Sequence, residues 1–202
     1  SRVQIVLPPA TRGEIAIAIR KHVSAGLSLD AWRGSGVQAK APCAREPIQT
    51  ARGEDLIDTL RSAVRARRNI LISGGTSSGK TTFLNALLRE VPAEERLILI
   101  EDAPELQLRH ENAVGLIAAR GELGEADISA EDLLIAALRM RPDRIVLGEI
   151  RGQEAMTFLR AVNTGHPGSL TTIHADTPER AIDQLALLVL QSGSQLGWDD
   201  VV

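Results

Sequence analysis

Aromatic residues are almost missing: the 202 residues include two Trp, two Phe and no Tyr. The core must therefore be aliphatic, and the 44% hydrophobic content supplies the Leu, Ile, Val and Ala for it. Cysteine occurs once, at Cys43, which excludes an internal disulfide and suits a reducing compartment. No apolar run approaches the ~18 residues that a spanning helix needs, and no signal-peptide pattern opens the chain. Charge of one sign is not in excess either: 23 basic residues face 26 acidic ones, a formal net charge of -3. That balance gives no general pull toward nucleic acid or an anionic membrane. The chain starts at Ser1 without Met and stops at Val202 just after an amphipathic run, so it reads as a fragment of a longer protein.

What is present is patterned. VQIVL at 3–7 and EIAIAIR at 14–20 alternate with period two and flank a Pro- and Gly-containing turn, which predicts a hairpin. We expect it to end a small α+β N-terminal domain, residues 1–28. Residues 29–52 lack sustained periodicity and hold Gly34, Gly36, Pro42 and Pro47, as an interdomain linker with one short helix would. From 53 to 202 short apolar runs alternate with amphipathic ones. Strands are predicted at 69–73, 96–101, 143–148 and 169–174. Helices are predicted at 55–68, from Lys80, at 129–140, from about Gln153 and from Pro178. Ser129 with Asp132 forms a capping box, and Thr177-Pro178 gives a cap residue followed by an N1 proline. Such alternation implies an α/β domain with a mostly parallel sheet covered on both faces.

Gly74, Gly75, Thr76, Ser77, Ser78, Gly79, Lys80 and Thr81 fit G-x-x-x-x-G-K-[ST], followed by Thr82. The strand before and the helix after are the context this signature requires. Glycines let the backbone curl so that several N–H groups face one anion, and the helix adds its positive end. Lys80 reaches the β- and γ-phosphates, and the Thr81 hydroxyl ligates Mg²⁺. The entropy cost of the glycines is thereby offset by phosphate binding.

In open α/β sheets functional groups gather at the carboxyl ends of strands. LILIE ends in Glu101-Asp102, RIVLGE in Glu149 and SLTTIH in His174. Glu149 after a buried aliphatic run resembles a Walker B acid, which holds Mg²⁺ through water or orients the attacking water. Glu101 could serve as the acid–base group, or the Glu101-Asp102 pair could serve as turn chemistry. His174 is placed to meet the γ-phosphate, while His166 could order the neighbouring Gly-containing turn. The chain has no N-K-x-D and no L-S-G-G-Q-like segment, which argues against a GTPase and an ABC transporter domain. Arg61, Arg65 and Arg68 fall on one predicted helix face, read as a solvated surface or a ring contact.

Together GGTSSGKTTFLNALL, LILIEDAPEL, LRMRPDRIVLGEIRGQEA and NTGHPGSLTTIHADTPERAI resemble the Walker A, Asp box, Walker B and His box of the secretion (traffic) ATPase superfamily. RVQIVLPPAT followed by AIAIRK is similar to the end of the N-terminal domain in its type IV secretion and conjugation branch. The resemblance implies a RecA-like ATPase domain, ATP with Mg²⁺, and a homo-hexameric ring. It implies membrane-bound secretion or pilus machinery as partners and a place in the cytoplasm, peripheral at the inner face of the inner membrane. It puts the Asp-box acid at Glu101, the Walker B acid at Glu149 and the His-box histidines at His166 and His174. It also brings phosphate-binding arginines from the N-terminal domain, for which Arg20 and Arg2 match and Arg12 is a weaker candidate. The expected function is an ATP-hydrolysing motor for type IV secretion, conjugative transfer or pilus assembly. Hydrolysis would change the angle between the domains. A nucleotide-dependent scaffold with little hydrolysis is the alternative. The acidic balance argues against a DNA translocase, so no strong nucleic-acid binding is expected.

Overall fold

A computed structural model of the chain describes residues 2–10, 15–20, 26–33, 56–119 and 127–192. Strands β1 (Arg2–Val6) and β2 (Ala16–Arg20) form the expected antiparallel hairpin. Val3 faces Ile19 and Ile5 faces Ile17. A 3-10 turn (Leu29–Trp32) follows. The rest is α1 (Leu56–Arg65), β3 (Ile70–Ser73), α2 (Lys80–Leu88), β4 (Leu97–Glu101), β5 (Ala113–Ile117), α3 (Ala130–Leu138), β6 (Arg144–Ile150), α4 (Glu154–Asn163), β7 (Leu170–Ile173) and α5 (Pro178–Gln191). Among the described residues, no helix is long and apolar enough to cross a membrane. Predicted linker residues 34–52 lie outside the described residues.

The five strands of the main sheet are parallel, in the order β3-β7-β6-β4-β5. Its central strands read as unbroken apolar runs because both faces are covered. Successive residues of β4 serve opposite layers. Leu97 and Leu99 pack with Leu84, Leu87 and Val146 beneath α1 and α2. Ile98 and Ile100 pack with Leu134, Leu147 and Phe158 beneath α3, α4 and α5. Both layers are largely aliphatic, as the composition requires. The predicted caps form: the Ser129 hydroxyl accepts from the Asp132 amide within a capping box, and Thr177 caps the Arg180 amide ahead of Pro178.

Three local features depart from the sequence expectations. Strand β5 is unpredicted; it pairs with β4 at the sheet edge, and Gly115 interrupts its short apolar run. Helix α1 stops at Arg65, so Arg68 is off the helix, and Arg67 turns the chain with φ 53. Arg61 is not simply solvated: it donates to Glu90 at 2.9 Å and to Asp30 at 3.1 Å.

That second contact belongs to a tight docking of residues 26–33. Leu29 is completely buried in the layer formed by α1 and α2. Trp32 meets Phe83 of α2 edge to face, ring centres 5.4 Å apart. Arg33 pairs with Asp58, and Arg89 donates to the Gly26 carbonyl at 2.8 Å. Hydrogen bonds from Arg33 and then Arg61 hold the Asp30 carboxyl below its ordinary range.

At the amino ends of the strands a cation lies fully buried. Arg144 donates to Glu95 Oε2 at 2.5 Å and Oε1 at 3.0 Å, and to the Val64 carbonyl at 2.8 Å. The planar fork satisfies both carboxylate oxygens, as a buried pair requires. Gly168, at φ 83, makes room: a Cβ there would stand 2.8 Å from the guanidinium. Hydrogen bonds from Arg144 hold the Glu95 carboxyl below its ordinary value of 4.5. A carboxyl depressed by folding stabilises the native state above its unfolded value and loses that contribution as pH falls below it. Arg144→Met should therefore cost about 3–5 kcal/mol in urea unfolding at neutral pH. The Glu95→Leu/Arg144→Met double variant should recover most of that loss. It should also show a shallower decline than the parent below pH 4.5.

Candidate functional site

A cavity of about 330 Å³ opens at the carboxyl edge of the sheet. Its floor is the loop between β3 and α2. Ser77 (φ 60) and Gly79 (φ 92) take left-handed backbone on either side of Ser78, the alternation that turns successive amides into an anion-binding nest. Hydroxyl side chains cap α3 and α5, but the N-cap position of α2 is Gly79, which has no side chain to cap it. A helix N-terminus of this kind turns its first N–H groups and the positive end of its dipole toward an anion.

Lys80 Nζ donates to the carbonyls of Gly74 at 2.8 Å and Gly75 at 3.0 Å, and lies 3.9 Å from Glu149 Oε1. Thr76 to Thr82 line the cavity. Thr81 Oγ1 donates to Glu105 Oε2 at 3.4 Å.

Glu149 is delivered by a β-bulge. Strand β6 is in register with β7 at Leu147↔Thr171 and again at Ile150↔Ile173, so one extra residue is accommodated around Gly148 and Glu149. A bulge re-aims the side chain it carries. The displaced Gly148 carbonyl accepts from the Thr172 hydroxyl at 2.8 Å. Glu149, 13% exposed, then meets three cations or donors: Lys80, His174 Nε2 at 2.8 Å from Oε1, and Arg151 on Oε2.

Glu101 has different surroundings. It is buried at the end of β4, where Oε1 accepts the amides of Glu105 at 2.8 Å and Leu106 at 2.7 Å. Asn85 in α2 grips the same loop from the other side. Its side chain donates to the Glu105 carbonyl at 3.1 Å and accepts from the Gln107 amide at 2.8 Å. Two buried polar side chains therefore fix the loop that carries Glu105 to Thr81.

The structure thus gathers Gly74–Thr82, Glu101, Glu149 and His174 at one edge. His166 sits at the opposite end of β7, where its Nδ1 lies 3.3 Å from the Ala161 carbonyl at the end of α4. Its carbonyl accepts from Ser169, so its contacts are those of a turn-ordering residue. The backbones of Arg2 and Arg20 face each other across the hairpin, while their side chains, and Arg12, lie outside what is described. Three residues of the site were not foreseen: Glu105, Asn85 and Arg151. A lone amide in the apolar helix run FLNALL was the one available signal for Asn85. The position of Glu105 depends on tertiary contact with α2.

Residues 48–196 match the family described as Type II/IV secretion system protein. The chain is 39% identical to the Type IV secretion system protein VirB11 of Bartonella quintana (strain Toulouse), across 99% of this chain and 62% of that protein. The crystal structure of the VirB11 ATPase from the Brucella suis type IV secretion system in complex with sulphate is similar with a TM-score of 0.67. That match has 36% identity and covers 99% of this chain and 61% of the other. The pilus retraction motor PilT with bound ADP is similar with a TM-score of 0.62 and 25% identity, over 98% and 50% of the two chains. The chain therefore spans less than two thirds of the length of these relatives.

Charge-assisted hydrogen bonds from two amides are worth about 1.5–3 kcal/mol each. Glu101→Ala should thus lower the hydrogen-exchange protection of the Glu105 and Leu106 amides by about tenfold or more. The amides of β7 should keep theirs.

Proposed function

The chain belongs to the Type II/IV secretion system protein family, and from that premise we propose that it hydrolyses ATP as part of a hexameric type IV secretion or conjugation motor. The observation that carries this reading is the meeting of Glu149, Lys80 and His174 beside the nest that opens α2. A carboxylate held between two nitrogen donors at the mouth of a phosphate loop is suited to orient a water for in-line attack. Lys80 supplies positive charge to the phosphates, and the α2 amides bind their oxygens. Glu101, with one oxygen committed to backbone amides, positions the loop, and Glu105 works beside Thr81.

The donor set fits Mg²⁺. Thr81 and Glu105 present hard oxygens within hydrogen-bond reach of each other, and Glu149 lies across the cavity. Magnesium characteristically takes one or two such ligands plus phosphates rather than an all-protein cage. When bound, the ion neutralises phosphate charge. Arg20 and Arg2 are proposed to add guanidinium forks from the N-terminal domain, ending near residue 28, with residues 29–52 as the interdomain linker, its first residues 29–33 anchored on α1 and α2. The reading places the protein in the cytoplasm against membrane-bound machinery.

In the full-length protein Lys80→Ala should abolish ATP binding. Glu149→Gln should bind ATP yet turn over about 10²–10⁴-fold more slowly. Steady-state phosphate release and equilibrium binding of a fluorescent ATP analogue read the two effects separately. Undetectable release by the unmutated protein would transfer the assignment to a nucleotide-dependent scaffold.

A further inference from the structure

The side chain that fixes Glu149 from the solvent side is Arg151. Its Nε donates to Glu149 Oε2 at 2.5 Å, and Nη2 contacts the same oxygen. Nη1 donates to Asp102 Oδ2 at 2.6 Å. One planar group therefore spans the segments that leave two neighbouring strands, β6 and β4. Its own backbone is also fixed: the amides of Arg151 and Gly152 donate to Glu154 Oε1 at 2.6 Å and 2.9 Å, in the turn that starts α4.

The two oxygens of Glu149 are thereby divided. Oε2 is taken by Arg151, and Oε1 is left toward Lys80 and His174. The bulge at Gly148 and Glu149 removes this carboxylate from the regular ladder. Its rotamer then depends on side-chain partners rather than on strand geometry. An arginine is suited to the task because its fork sets both the distance and the plane of its partner, which an ammonium cannot do.

We propose that Arg151 is a positioning residue for the proposed hydrolysis: anchored by Asp102, it turns Oε1 of Glu149 toward Lys80. The inference rests on Glu149 being the water-orienting acid. Arg151 is half exposed and Asp102 nearly so. Exposed ion pairs add little to global stability, so a loss confined to turnover separates positioning from scaffolding.

The test uses the full-length protein with Arg151→Ala, Arg151→Lys, Asp102→Asn and the Arg151→Ala/Asp102→Asn pair. Arg151→Ala should lower kcat by about tenfold to a hundredfold, the scale of a small misplacement of a reacting group. KM, affinity for a fluorescent ATP analogue and the melting temperature should be unchanged. Lysine should restore only part of the rate. Asp102→Asn should reduce kcat on its own and have no further effect in the Arg151→Ala background, because it acts through that residue. A crystal structure of Arg151→Ala should show Glu149 in a new rotamer, away from His174. Unchanged kcat, a parallel loss of binding and melting temperature, additive effects of the two variants, or an unmoved Glu149 would each overturn the proposal. The crystallographic result decides the matter for Arg151 even if the unmutated protein fails to release phosphate, which would instead defeat the proposed function.

Discussion

Five strands running in one direction, sealed on both faces by aliphatic side chains, impose the arrangement of everything else. A polar group inside such a strand must find its partner within the wall, as the Thr172 hydroxyl does at the Gly148 carbonyl, and is then not available to a ligand. Chemistry is therefore displaced to the strand ends, and parallel pairing brings all the carboxyl ends to one edge. The phosphate loop, Glu101, Glu149 and His174 meet there although the first and last of them, Gly74 and His174, stand 100 positions apart in sequence. The single irregularity in β6 lies where the strand stops being wall and starts being site.

Charged groups at the two edges serve different ends. At the amino edge Arg144 and Glu95 are both buried and spend their charges on each other, with Arg67 closing over Glu95 from outside. At the carboxyl edge three glutamates share one cavity but have different surroundings. Glu101 faces backbone amides, Glu105 a hydroxyl, and Glu149 a lysine, a histidine and an arginine. Identical side chains acquire different capacities from their partners, which is the general route by which proteins assign roles among carboxylates.

Much of this was legible before the fold. Local signals carried the helix starts at Ser129 and Thr177, because a cap needs only residues three apart. Period and strand-end chemistry located four of the five parallel strands and placed Glu149 and His174 at one edge. Strand β5 was missed because Ala113 and Gly115 dilute its apolar run and it follows β4 without an intervening helix. Glu105, Asn85 and Arg151 were missed for a different reason. Each acquires its role from a partner brought near by tertiary folding: Thr81, the Glu105–Gln107 backbone, and Asp102. The end of α1 at Arg65 reflects the left-handed turn at Arg67, whose guanidinium reaches Glu95.

The docking of residues 26–33 has a mechanical meaning. Helix α2 begins at the phosphate loop and, one turn later, presents Phe83 to Trp32, while Leu29 is sunk into the same layer. Close-packed interiors do not absorb displacement by compression. A push on the start of α2 is therefore delivered to the chain that leads back to the hairpin. Residues 26–33 are keyed to α2 at that joint, so the segment and the start of the helix shift as one piece.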